Sequence, residues 1–346
     1  MSVRIGIIGT GETVGIAHFH TEGIKQDPRA HVAAVYDLSR EKAQTFVSEH
    51  GLQAVVCESS RQLLELVDAV VICTPNSTHI PYVLEALRAG RAVFVEKPLS
   101  ISPQLCLPVL EELRQRDTVN MMGFIYRYSN QMRALKDLIR SDMGRVYTFS
   151  ASFGGKRLAD PTLPLEWRMR RSLSGSGALG DFGSHMVDAA SFTAGLRYDR
   201  LLAQTQTFIE SRGPDRQGNT QVENDDAAVM IGTARNGALS TFVASRVGME
   251  ELTVTVTGEG GIAKLALAEN DRIYYTPKTI GGGYAGETKV ITVPWQQHFD
   301  GWFCDQMRGF IDALCGETSG DIADIAHGYY VEELLAGADE FAREDA

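Results

Sequence analysis

Val3-Arg4-Ile5-Gly6-Ile7-Ile8-Gly9-Thr10-Gly11-Glu12-Thr13-Val14-Gly15 is the stretch on which the fold turns. Residues 3–8 form a near-continuous apolar run of the kind that makes a strand buried on both faces. The run leads straight into glycines. Such glycines suit a tight turn, close approach of backbone to a pyrophosphate, and close packing of the following helix on the strand. That helix would aim its N–H groups at the phosphates. The third glycine is displaced by one position, giving G-x-G-x-x-x-G. Asp37 closes the next apolar run, 22 positions beyond Gly15. A carboxylate there accepts the ribose hydroxyls of a bound adenosine. Gly9, Thr10, Gly11, Thr13, Val14 and Asp37 therefore read as a dinucleotide site. Asp37 favours NAD, because it would repel the extra phosphate of NADP. Arg40, three residues on, offsets part of that repulsion and leaves NADP open.

Working outward, the first third of the chain keeps one rhythm. Apolar runs at Val32–Tyr36, Val55-Val56, Ala69–Cys73, Ala92–Val95 and Val119–Met122 alternate with helical patterns. Those patterns cover Arg40–His50, Ser60–Val67, Ile80–Ala89 and Gln104–Gln115, the last opened by Ser102 and Pro103. Alternation of this kind predicts a doubly wound parallel sheet with right-handed crossovers. Ligands of such sheets bind beyond the carboxyl ends of the strands. Thr74 and Asn76, after the fourth run, face that crevice, although a Pro-Asn turn with a helix cap explains them equally. Glu96-Lys97-Pro98, after the fifth run, places a charged pair there. A charge in that position is costly unless solvated, paired or used. The plain alternative is a lysine at a surface turn.

After Gly123 the rhythm changes. A helix over Asn130–Arg140, capped by Ser129, precedes eight strand-like runs between Val146 and Val293, with turn residues separating many of them. Closely spaced strands with short turns predict a mainly antiparallel sheet. The chain then closes in helical patterns over Trp302–Leu314 and Ile325–Phe341. These features predict an α/β chain of two domains, residues 1–123 and 124–346. The tract Gly281–Gly286 reads as a loop.

Composition narrows the function classes. The net charge is −11, with no run of five or six basic residues, which argues against nucleic acid as a partner. No apolar stretch reaches the length of a membrane span. Five scattered cysteines without C-x-x-C spacing suit reduced thiols in the cytoplasm rather than a zinc site or disulfides. The N-terminus lacks the pattern of a secretory leader. His18 and His20 follow the glycine loop where a helix should run, so a metal site is not expected there.

A further constellation lies at Gly175-Ser176-Gly177-Ala178-Leu179-Gly180-Asp181-Phe182-Gly183-Ser184-His185. A helix starting near Asp181 would place Asp181 and His185, four apart, on one face. A carboxylate beside an imidazole raises its basicity and fixes its orientation, as general-base chemistry requires. Asp181 as a helix cap and His185 as an ordinary buried helical residue is the competing account. The Asp-Phe-Gly string lacks the other motifs of a kinase.

In this order the motifs resemble the glucose–fructose oxidoreductase / inositol dehydrogenase (Gfo/Idh/MocA) family over nearly the whole chain. The resemblance rests on Gly9-Thr10-Gly11, Thr74-Pro75-Asn76 with His79, Glu96-Lys97-Pro98, and Gly123–Tyr128. It continues through Trp167-Arg168 and Gly177–Asp181 with His185. The displaced glycine departs from the family pattern, and Tyr126 stands where many members have asparagine. The resemblance implies a Rossmann domain followed by an α/β domain with an open, mainly antiparallel sheet. It implies NAD(P)-dependent oxidation of a secondary alcohol on a sugar or cyclic polyol. It implies Lys97, Asp181 and His185 as the catalytic group, with Tyr126 and Arg127 at the substrate. His79, Glu96, Trp167 and Arg168 would join the cofactor contacts. It also implies homodimers or homotetramers through the second sheet. Two alternatives remain at this point: a glycosidase that oxidises its sugar transiently, and a non-catalytic dinucleotide-sensing regulator.

Overall fold

Two sheets organise the chain, each in its own unit, in a computed structural model. It describes residues 2–11, 15–215, 217–248, 251–269, 271–279, 281, 284, 286–297, 300–317 and 320–344. The first unit comprises Met1–Tyr128 and Gln297–Tyr330; the second comprises Ser129–Gln296 and Val331–Ala346. Where the sequence predicts a single division at residue 123, contacts divide the chain after Tyr128 and bring Gln297–Tyr330 back to the first unit. The helix Asp300–Leu314 returns to the first unit and crosses the helix Ile16–Lys25 at Gly23. There the carbonyl oxygen of Phe303 lies 2.9 Å from where a side-chain carbon would begin. Such an approach is open to glycine alone. The stacked rings of Phe19 and Phe303, 5.0 Å apart, seal the same crossing.

The first sheet contains β1 (Val3–Ile8), β2 (Ala30–Tyr36), β3 (Val55–Val56), β4 (Ala69–Ile72), β5 (Ala92–Val95) and β6 (Asn120–Met122). Their order is β3-β2-β1-β4-β5-β6, and every pairing is parallel. The strand order reverses between β1 and β4, which opens a crevice at their carboxyl ends. β4 and β5 are buried along their whole lengths, as their uninterrupted apolar sequences predict.

The second sheet contains β7 (Val146–Gly154), β8 (Leu202–Gln206), β9 (Ala227–Thr233), β10 (Leu239–Ser245), β11 (Thr253–Gly258), β12 (Gly261–Ala266), β13 (Arg272–Pro277) and β14 (Lys289–Thr292). Its order is β14-β13-β12-β11-β7-β10-β9-β8. All pairings are antiparallel except the central one of β7 with β10. Burial alternates along β11 and β9, so one face of the sheet carries the core and the other stays open. Among the described residues no helix is long and apolar enough to cross a membrane.

The Asn130–Arg140 helix ends at Leu138 and continues as one wide turn over Ile139–Met143. Ser129 makes no capping hydrogen bond to it. The eight strand-like runs match β7–β14 within a few residues at each end. Part of the Gly281–Gly286 tract lies outside the described residues.

Candidate active site

In the first unit the glycine loop is shaped by backbone torsion. Gly9, Gly11 and Gly15 have φ of 88°, 82° and 66°. A side-chain carbon at Gly9 would sit 2.7 Å from Thr74 Cγ2 and 3.0 Å from the Thr74 backbone nitrogen. The first glycine thus lets the ends of β1 and β4 meet at the crevice. Gly15 stands at the N-cap of the helix Ile16–Lys25 and has no side chain to cap it. Thr13 and Val14, also expected at the cofactor, lie outside the described residues.

Asp37 braces this loop. Its Oδ2 accepts from the Thr10 backbone N–H and from Thr10 Oγ1, both at 2.9 Å, and its Oδ1 accepts from the Ser39 N–H at 2.9 Å. Thr10 is buried and spends both donors on Asp37, which positions the loop. Arg40 pairs with Glu58 on the surface.

Glu96 is held from the glycine-loop helix. Its Oε1 lies 2.7 Å from Nε2 of His20, which is fully buried against Phe94 and Phe303. Its Oε2 accepts from the Lys97 N–H at 3.2 Å. A side-chain carbon at Gly123 would stand 2.6 Å from the Glu96 carboxylate, so the glycine after β6 makes room for the pair. Burial and the Glu96 charge together push the thiol of Cys73 well up, so it stays protonated. The Lys97–Pro98 peptide is cis.

Three expected contact residues prove to be internal. The His79 ring has no exposed surface and lies 2.8 Å from the Thr74 carbonyl oxygen and 2.9 Å from that of Pro98. It ties the end of β4 to the turn after Lys97, and burial holds its pKa down. Arg127 is buried and donates to the carbonyls of Ile322 (3.2 Å) and Asp321 (3.4 Å). Tyr126 is buried edge-on against Trp302, with centroids 5.7 Å apart. Arg127 and Tyr126 therefore fasten the returning C-terminal segment within the first unit. Asn76 is buried in the short turn Asn76–Thr78 after β4.

In the second unit, Asp181 and His185 do not share one helix. Asp181 ends the short helix Ala178–Asp181, Phe182 interrupts, and His185 stands in the first turn of Gly183–Ala194. Ser184 Oγ takes the Asp181 carbonyl at 3.2 Å. His185 is buried, with the Phe153 ring 5.8 Å away.

What aims this segment is Asp225, a residue that no local pattern marks. Its Oδ1 accepts from the Gly177 N–H at 2.7 Å, and its Oδ2 from the Leu179 N–H at 2.8 Å. Its own carbonyl accepts from Ala178 at 3.0 Å, leaving no space for a side chain at Gly177. Burial raises the Asp225 pKa, and the Arg246 charge opposes that rise. The Asp181 Oδ2 accepts from Arg246 Nη2 at 3.3 Å.

Trp167 and Arg168 lie on a single turn, Trp167–Met169, capped by Glu166. The Arg168 guanidinium lies 4.4 Å over the Trp167 ring, and burial lowers its pKa. The Arg168 carbonyl receives three donors: Asn224 at 2.9 Å, and Ser174 and Arg246 at 3.0 Å. Glu166 is clamped by both Arg157 nitrogens, one at 2.8 Å, which hold its carboxyl below the usual range. Among the described residues no group of histidine, cysteine and acidic side chains could hold a metal ion.

Two family models match the chain: the oxidoreductase family with an NAD-binding Rossmann fold over residues 3–124, and the GFO/IDH/MocA C-terminal domain over residues 132–264. A glucose-6-phosphate 3-dehydrogenase of Bacillus subtilis (strain 168) is 28% identical, covering 96% of this chain and 94% of its own. An inositol 2-dehydrogenase of Burkholderia ambifaria is 26% identical, with 98% and 96% covered. A levoglucosan dehydrogenase structure, in complex with NADH and L-sorbose, superposes with a TM-score of 0.90 at 21% identity, covering 100% and 98% of the two chains.

Proposed function

The chain belongs to the Gfo/Idh/MocA family of NAD-binding oxidoreductases, and on that premise we propose that it oxidises a secondary alcohol of a sugar or cyclic polyol. The observation that carries the reading is the buried His20–Glu96 pair, which fixes Lys97 at the carboxyl end of β5, two strands from the dinucleotide loop. A structural protein has no need to bury that pair beside an emerging ammonium. The left-handed glycines and the uncapped helix start fit NAD. Asp37 makes NAD the preferred form over NADP. NAD, when bound, supplies the hydride acceptor.

The residues divide the remaining work. Lys97 hydrogen-bonds the reacting oxygen and stabilises the negative charge that develops on it. His185 accepts the hydroxyl proton, and Asp181 orients the substrate or the imidazole. Dehydrogenases of glucose 6-phosphate and inositol among the relatives support a polyhydroxylated substrate. The test is a panel of inositols, aldoses, sugar acids and sugar phosphates assayed with NAD and NADP separately. Net NADH formation with one of them is expected. Absence of net NADH across the panel, with NAD bound, would instead favour the transient-oxidation or sensing readings.

The open face of the second sheet suggests the partner. Val229, Ile231 and Leu239 lie on that face and are each about half exposed. A second copy laid sheet to sheet would cover them, giving a homodimer or homotetramer. Sedimentation of an Ile231→Lys variant, expected to be smaller than the parent, tests this.

A further inference from the structure

Resting on the reading that Asp181 serves the reacting alcohol, we propose that Arg246 is the positioning residue of the second unit's site. One guanidinium fixes the Asp181 carboxylate and the Trp167-Arg168 turn to each other. Arg246 follows β10, and its backbone N–H donates to the Asp226 carbonyl at 2.7 Å. That anchor turns the side chain inward, where only 4% of it is exposed. Nη2 donates to Asp181 Oδ2 at 3.3 Å, and Nη1 to the Arg168 carbonyl at 3.0 Å. Nε is enclosed without a hydrogen-bond partner.

A buried guanidinium with an unsatisfied N–H is costly, and an apolar side chain would pack there for less. What the arginine adds is a rigid fork that sets two acceptors at a fixed separation. Arg157 and Arg168 add charge near Asp181, and each also has a second engagement. Arg157 clamps Glu166, and the Arg168 guanidinium lies over the Trp167 ring. Charged groups that face the pair are Arg157 and Arg168 towards Asp181, and Arg168 and Asp225 towards Arg246. Within that set Arg246 bonds the carboxylate that orients the chemistry and the backbone of the turn that carries Arg168. It acts through both, without a part in bond making.

The experiment uses the full chain with Arg246→Met, Arg246→Lys, Asp181→Asn and the Arg246→Met/Asp181→Asn double variant. Carbonyl-labelled aspartate gives an NMR titration of Asp181, assigned by its loss in Asp181→Asn. Removing the guanidinium is expected to raise the Asp181 midpoint by about one pH unit or more. Arg246→Lys should restore most of that midpoint yet still lower kcat about tenfold at unchanged KM for NAD, because an ammonium cannot bridge both acceptors in one geometry. In the Asp181→Asn background, Arg246→Met should change kcat less than about twofold. An unmoved midpoint, or a double variant showing the product of the single losses, would overturn the proposal. If Arg246→Met does not fold, Arg246→Lys alone decides it, through wild-type kcat against the tenfold loss. The titration reads the Arg246–Asp181 link even if no polyol is oxidised, so failure of the functional reading is distinguishable from failure of this one.

Discussion

The glycine loop of the first unit and the Gly177–His185 segment of the second position polar groups by opposite means. In the loop, backbone torsion at Gly9, Gly11 and Gly15 does most of the work, and the bracing carboxylate of Asp37 lies 27 residues from Thr10. In the second segment the shape is imposed from a distance. Asp225 holds Gly177 from 48 residues away, and Arg246 holds Asp181 from 65. A torsion-built site tolerates changes around it but not at its glycines. A site built by distant charges fails when either distant partner is removed.

The largest expected effect tests whether the first unit contributes chemistry as well as cofactor binding. Lys97→Ala should lower turnover by about 100- to 1000-fold, as loss of a donor to a developing oxyanion does. NAD affinity, followed by fluorescence titration, should stay close to wild type. Near-normal turnover on a proven substrate would remove Lys97 from the mechanism.

Asp225→Ala comes next and aims at the other half of the comparison. It strips two backbone N–H groups of their charged acceptor in a buried place, and should cost about 3 kcal/mol of stability in chemical denaturation. A loss below about 0.5 kcal/mol would mean that the Gly177–Asp181 turn holds its own shape, and the contrast would collapse.

Gly123→Ala sharpens the same contrast within the first unit. The added methyl meets the Glu96 carboxylate, so a destabilisation of about 2 kcal/mol is expected, together with weaker turnover as the His20–Glu96 pair shifts. Thermal melting and a crystal structure of the variant would show whether the pair moved.

The smallest effect is a pH signature. Glu166 has its carboxyl held down chiefly by Arg157, so the pair adds stability above the ordinary glutamate range that is lost as pH falls through the depressed value. Arg157 is about half exposed, which limits the gain to about 1 kcal/mol or less. Arg157→Met should therefore be less stable than wild type at neutral pH and converge with it only once the pH has fallen through the depressed Glu166 value. A difference that persists unchanged into acid would assign the loss to packing instead.

Legibility followed the same divide. The parallel order, the glycine loop and Glu96-Lys97-Pro98 were readable because each is local: apolar runs, a turn and a strand end signal within a few residues. That His79, Arg127 and Tyr126 are buried was not readable, because a motif names a residue's place but not its depth. The pairing of His20 with Glu96 had no local signal, because the two lie 76 positions apart. Asp225 and Arg246 stand at strand ends with no surrounding pattern. An acidic pair, Asp225-Asp226, directly before β9 was the faint available signal.

By itself, the sequence determined two sheets of different kind, a dinucleotide loop after β1 and a lysine after β5. Hydrophobic periodicity and glycine torsion are local properties that act before any long-range contact forms. Only the tertiary structure decided that residues 297–330 return to the first unit, that Glu96 is held by His20, and that Asp181 is aimed by Arg246. Those outcomes depend on which charges and rings are desolvated together. Burial strengthens such pairings and makes unpaired members costly, yet the linear chain carries no record of who is buried with whom.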